Sequence, residues 1–168
     1  MSPTPARCLI LACGNTLRGD DGAGPWLAQW AEQRFSEQAD VRVVSRQQWT
    51  PELAEEIAHA QSVLFIDCSI DSAPGSIRLT PVEPAGETPG LATHHLGAAQ
   101  LLALGRELYA SLLSNAQLLT IGAGSTELGE EFSAQVTAAL PRACRLIEGT
   151  VLRLLPGSEL PSPPARKA

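Results

Sequence analysis

No apolar run in this 168-residue chain approaches the ~20 residues that a helix needs to span a bilayer, which argues against a helical membrane protein. The first residues, MSPTPARCLILACG, lack a basic stretch ahead of a separate apolar core. They do not read as a signal peptide, so a cytoplasmic location is expected. Cationic surplus is missing too: 12 Lys and Arg stand against 18 Asp and Glu, a net charge of −6. A nucleic-acid binder needs a basic footprint to neutralise phosphates, so that class is set aside. The four cysteines, Cys8, Cys13, Cys68 and Cys144, form no C-x-x-C pair. That argues against a disulfide framework or a zinc knot and for reduced thiols in a core. H-E-x-x-H and G-x-S-x-G are also absent, removing two familiar hydrolase signatures.

What remains is globular: 44% hydrophobic and 18% charged residues. The expected organisation is a flexible leader at 1–6, one α/β domain over 7–155, and a Pro/Ser-rich tail at 156–168. Arg7 to Cys13 and Ser62 to Asp67 are apolar almost throughout, as strands buried on both faces are. Val41 to Ser45 and Gln117 to Ala123 complete the inner set, and the alternating segment in APGSIRLTPV suggests a sheet edge. Between them lie helical stripes. The first spans about Ala23 to Phe35, with Pro25 in its first turn and Trp26 and Trp30 assigned to the core. A second starts with Thr50 as N-cap and Pro51 behind it. A third, Leu96 to Leu113, has Thr93 as candidate N-cap and Leu108, Tyr109 and Leu112 on its buried face. A last stripe from Phe132 to Leu155 is expected to break or restart at Pro141. Alternating strands and helices predict a three-layer α/β/α sandwich around about five mostly parallel strands. In such sheets the ligand site lies beyond the carboxyl ends of the strands. Asp20 and Asp21, Asp67, and the pair His94 and His95 all fall at that edge.

The stretch CLILACGNTLRGDDGAGP is where the chemistry concentrates. Gly14 and Gly19 have the spacing of a phosphate loop, but Asp20 and Asp21 occupy the positions of its Lys and Ser/Thr. Two carboxylates would repel a phosphate, and G-x-G-x-x-G is missing as well. Acids in a Gly-rich loop make better cation ligands. On the blander reading Asp20 caps the first helix and Asp21 is merely solvated. Two acids and an imidazole converging form a mixed oxygen and nitrogen set, suited to nickel, cobalt or zinc. The rival chemistry is a cysteine hydrolase in which Cys13 pairs with His94. A non-enzymatic alternative is a flavodoxin-like module that binds a small ligand at the same edge.

The segments GNTLRGDDGAGP, RQQWTPELAEEIAHAQSVLFIDCSID, PGSIRL, THHLGAAQLLALGRELY and LLTIGAGSTELGEEFS resemble, in this order, the hydrogenase maturation proteases. These endopeptidases trim the large subunit of nickel–iron hydrogenases. The resemblance implies a cytoplasmic, phosphorylase/hydrolase-like α/β enzyme; because the apolar stripes are used up by the core, a monomer is expected. Its partner would be the large-subunit precursor, from which it removes a C-terminal extension after nickel insertion. It also implies a metal-facing set of Asp21, Asp67 and His94, with His95 in the variable position and Asp20 as a catalytic or loop-orienting neighbour. The nickel would arrive with the client, and the enzyme's own site would stay empty or weakly occupied between turnovers.

Overall fold

The computed structural model describes residues 6–86, 96–110 and 113–155. Five strands form one sheet: β1 (Ala6–Cys13), β2 (Val41–Arg46), β3 (Ala60–Ser69), β4 (Ile77–Pro81) and β5 (Asn115–Gly122). Their spatial order is β2-β1-β3-β5-β4. The first four in that order run parallel, and β4 closes one edge antiparallel to β5. Ile10 lies opposite Val43 on β2 and Leu64 on β3, a register that brings the carboxyl ends of β1 and β3 side by side. The expected sandwich of about five mostly parallel strands is what forms.

Helices α1 (Ala23–Arg34) and α4 (Ala134–Leu154) cover one face, and α2 (Leu53–Ala58) and α3 (Ala98–Tyr109) the other. Successive strand residues point to opposite layers. Cys8, Ile10 and Ala12 pack with Leu27, Ala31, Val136 and Ile147, while Leu9 and Leu11 pack with Leu53, Ile57, Leu101 and Leu102. Both faces being covered is why β1 and β3 are apolar at consecutive positions rather than alternate ones. The four cysteines are unpaired; Cys8 and Cys13 are buried, and Cys68 and Cys144 partly so. Among the described residues no helix is long and apolar enough to cross a membrane.

Several expected details differ. Thr50 and Pro51 form turns that precede α2, which starts only at Leu53. Helix α3 starts at Ala98, where the Gly97 N–H donates to Gln100 Oε1 at 3.1 Å. Thr93, the expected cap, lies outside the described residues. Leu108 and Tyr109 face solvent at the end of α3, and Leu112 lies outside the described residues. Trp26 is exposed rather than core, whereas Trp30 packs on the sheet and meets Phe35 edge-on at 6.2 Å. Helix α4 runs through Pro141 without interruption. The proline gives up one main-chain bond on an exposed face, and the stripe of Val136, Leu140, Ala143, Ile147 and Val151 holds both halves to the sheet.

Phe65, fully buried on β3, meets Trp49 edge-on at 5.4 Å and anchors the α2–α3 layer. Replacing it with alanine should lower unfolding free energy by about 3–5 kcal/mol, read from the midpoint of a urea transition.

Candidate active site

Beyond β1 the chain reverses at Gly14, whose φ of +154° suits glycine, and a Cβ there would lie 1.9 Å from the carbonyl oxygen of Asp21. That close approach lets the loop fold back on itself. The Asn15 N–H donates to Asp21 Oδ2 at 2.7 Å, and Asn15 Oδ1 accepts from the Leu17 N–H at 2.9 Å. The chain then enters a short 3-10 turn, Gly19–Gly22, that leads into α1. Gly19 has φ +53°, and its N–H donates to the carbonyl of Gly129 at 2.8 Å. The Gly129 N–H in turn donates to the carbonyl of Leu17 at 2.9 Å. The loop after β1 is therefore braced by the loop between β5 and α4.

Asp20 is the centre of that brace. It is fully buried, and three main-chain N–H groups donate to its carboxylate: Ser133 to Oδ1 at 2.7 Å, and Gly124 and Ser125 to Oδ2 at 2.7 and 3.0 Å. Burial by itself would raise this carboxyl, but hydrogen bonds from Ser133, Ser125 and Gly124 outweigh it and hold the group below the ordinary aspartate value. Asp20 makes no cap to α1, whose N-cap position is Gly22 with no side-chain bond. An ionised carboxylate with its lone pairs committed to amides is suited to holding two loops together and ill suited to accepting a proton from water.

Asp21 and Asp67 have a different character. Cys13 and Asp67 continue the strand alternation on the α2–α3 side, and the Cys13 thiol donates to Asp67 Oδ1 at 3.3 Å. The Cys68 N–H donates to the same oxygen at 2.8 Å. Burial raises the Asp67 carboxyl above the ordinary value. The hydrogen bonds from Cys13 and Cys68 pull it part of the way back, while the charge of Asp21 pushes it further up. The two acids thus lie within electrostatic range of one another at the carboxyl edge of the sheet. Among the described residues Asp21 Oδ1 and Asp67 Oδ2 accept no hydrogen bond.

The thiols here are held protonated. Burial, followed by the Asp67 charge and hydrogen bond, raises Cys13 well above its usual value. Burial and the charges of Asp21, Asp67 and Asp20 push Cys68 up to about 12. A nucleophilic thiolate needs the reverse environment. The loop is equally unsuited to phosphate, because the Asn15 N–H that a cradle would offer is taken by Asp21. His94 and His95 lie outside the described residues. His59 caps α2 at the opposite edge, its Nδ1 against the carbonyl of Glu55 at 2.8 Å. Among the described residues no three His, Cys, Asp or Glu side chains form a metal-binding group. Sequence reasoning missed Asn15, which orients Asp21 through its main chain, and the amides of Gly124, Ser125 and Ser133. The one legible signal was the second Gly-rich bend, GAGSTELGE.

These environments predict opposite responses to substitution. Asp20→Ala strands three buried donors and should cost about 3 kcal/mol or more in urea unfolding. The contribution of Asp20 is lost only as pH falls through its depressed folded value. Asp67 has a raised folded value, so its contribution is complete below the unfolded value and lost as pH rises through the folded one. Asp67→Asn should therefore stabilise the chain by about 1 kcal/mol at neutral pH, a gain that vanishes in acid below the ordinary aspartate range. Melting curves at the two pH values check this.

No family model matches the chain, and no curated protein matches it. Solved structures do. The hydrogenase maturating endopeptidase HybD from E. coli shares the fold with a TM-score of 0.71 at 21% identity, over 88% of this chain and 93% of that one. The NiFe hydrogenase maturation protease HycI from Thermococcus kodakarensis matches with a TM-score of 0.65 at 26% identity, over 86% of this chain and 91% of its own. HybD from Thermococcus kodakarensis gives a TM-score of 0.62 at 25% identity, over 86% and 98%. Over most of its length the chain is thus similar in fold to hydrogenase maturation proteases, two of them at 25% and 26% identity.

Proposed function

We propose that this chain is a peptide-bond hydrolase that removes the C-terminal extension of a nickel–iron hydrogenase large-subunit precursor after nickel insertion. The observation that carries the reading is the pair Asp21 and Asp67. Two like charges share one sheet edge, each with a carboxylate oxygen that accepts no hydrogen bond among the described residues. Such a pair is relieved by a cation, and a cation bound within another protein would relieve it only in the complex. The solved structures similar to this chain are named as NiFe hydrogenase maturation proteases, which supports peptide-bond cleavage in hydrogenase maturation. The large-subunit precursor as client rests on the sequence resemblance.

In this reading Asp21, Asp67 and His94 meet the nickel already held by the precursor, and that contact places the scissile bond. Leu96, two residues on from His94, packs in the layer that Asp67 and Cys13 face, which supports His94 as the third member. Asp20 does not take part in proton transfer. It fixes the backbone from which Asp21 projects, through the loop between β5 and α4. Specificity follows from the metal, since a precursor without it offers nothing for the two acids to bind. The enzyme works as a cytoplasmic monomer that docks transiently. The cysteine-hydrolase alternative loses ground to the protonated, hydrogen-bonded state of Cys13, and the flavodoxin-like one to the acids in the loop.

Asp21→Ala and His94→Ala should each slow processing of nickel-loaded precursor by roughly two orders of magnitude, with the far-ultraviolet circular dichroism unchanged. Processing at the wild-type rate by both folded variants would sink the metal-reading site.

A further inference from the structure

Of the seven large apolar side chains exposed among the described residues, Leu17 (55% exposed), Trp26 (40%), Ile70 (76%) and Leu128 (85%) lie in or next to the loops at the carboxyl edge that carries Asp21 and Asp67. Leu108 and Tyr109 end α3, and Leu152 lies near the end of α4. Leu17 and Leu128 belong to neither core cluster, so folding does not require them to be apolar. They stand on adjoining loops, joined by the bonds between Leu17 and Gly129 and between Gly19 and Gly129. Beside them Pro25, Trp26, Gln29 and Phe132 line a groove of about 410 Å³ that Gly22 also lines. A Cβ on Gly22 would lie 3.2 Å from Thr16 Cα and 3.5 Å from Phe132 Cε1. Gly22 directly follows Asp21, so groove and acid site share one turn of chain.

We propose that this groove, with the Leu17–Leu128 crest, is where the enzyme holds an extended segment of the precursor beside the bond that is cut. The inference rests on the function proposed above and adds the chemistry of the bound segment: apolar side chains for the groove and crest, and net positive charge. Charge complementarity argues for the second feature. Glu130 lines the groove, and Glu127 and Glu131 are exposed on the same loop, where Arg18 also reaches the Thr126 carbonyl. Continuity with Asp21 argues for a client segment rather than a remote partner. An extended peptide lying along the groove runs on to the acid pair through Gly22. The crest is also built to bind without rearranging, since the Asp20 carboxylate and the main-chain bonds of Gly19 and Gly129 already hold both loops. Exposed apolar surface rimmed by charge is the usual form of a protein-binding site.

Steady-state cleavage of nickel-loaded precursor by the full chain tests this, with Leu17→Asp and Leu128→Asp against Leu108→Asp, which alters an exposed leucine at the end of α3. The two crest variants should raise KM about tenfold or more with kcat unchanged, and Leu108→Asp should change neither. Added salt should raise the wild-type KM. Wild-type cleavage with unaltered KM in both crest variants would overturn the docking surface and leave the proposed reaction standing. Failure of the wild type to cleave would overturn both. Sedimentation showing a wild-type dimer that Leu128→Asp dissociates would assign the crest to a second copy and overturn the client proposal.

Discussion

The site depends on one buried carboxylate. Asp20 collects three main-chain N–H groups from the loop between β5 and α4, and so ties the loop after β1 to a segment more than a hundred residues away. Charged hydrogen bonds of this kind are strong because the acceptor is ionised and shielded from water. They add to the main-chain bonds that Gly19, Gly129, Leu17 and the Asp20 N–H make between the same two loops. Asp21, the next residue, then has a fixed backbone, and its carboxylate is turned by the Asn15 N–H. The glycines serve the same end: Gly14 and Gly19 permit approaches to Asp21 and Ser125 that a side chain would block.

Against this rigid frame the site stores an unfavourable arrangement. Asp67 is buried, and Asp21 adds a like charge. Nothing in folding calls for that pair, since an amide at position 67 would keep the contacts to Cys13 and Cys68. Burial, and to a smaller extent the Asp21 charge, raise the Asp67 carboxyl, a state that a nearby cation would relieve. Burial first, and then the charges of these acids, keep Cys13 and Cys68 as thiols.

Much of this could be read in the sequence, for identifiable reasons. Strands β1 and β3 are covered on both faces, so their apolar runs are uninterrupted and hard to mistake. Because they are parallel neighbours, Asp21 and Asp67 had to come to one edge. Element starts were less legible. Thr50 and Pro51 suit a turn as well as a helix start, and they make turns. Trp26 sits at a helical position, but Ala23, Leu27 and Ala31 take the face of α1 that packs on the sheet, and Trp26 falls beside that face toward solvent. Pro141 looked like a breaker because local rules ignore the apolar stripe on both sides of it. The role of Asp20 was hidden because its partners are main-chain amides, which carry no sequence signature. His94, the third member of the site as read from the sequence, lies outside the described residues.

The central claim is that the acid pair reads a metal carried by the client. Incubating the wild-type chain with hydrogenase large-subunit precursor, nickel-loaded in one sample and nickel-free in the other, tests it by intact-protein mass spectrometry. Loss of a C-terminal peptide from the loaded precursor alone is the predicted result. Equal loss from both, or none from the loaded form, would contradict it.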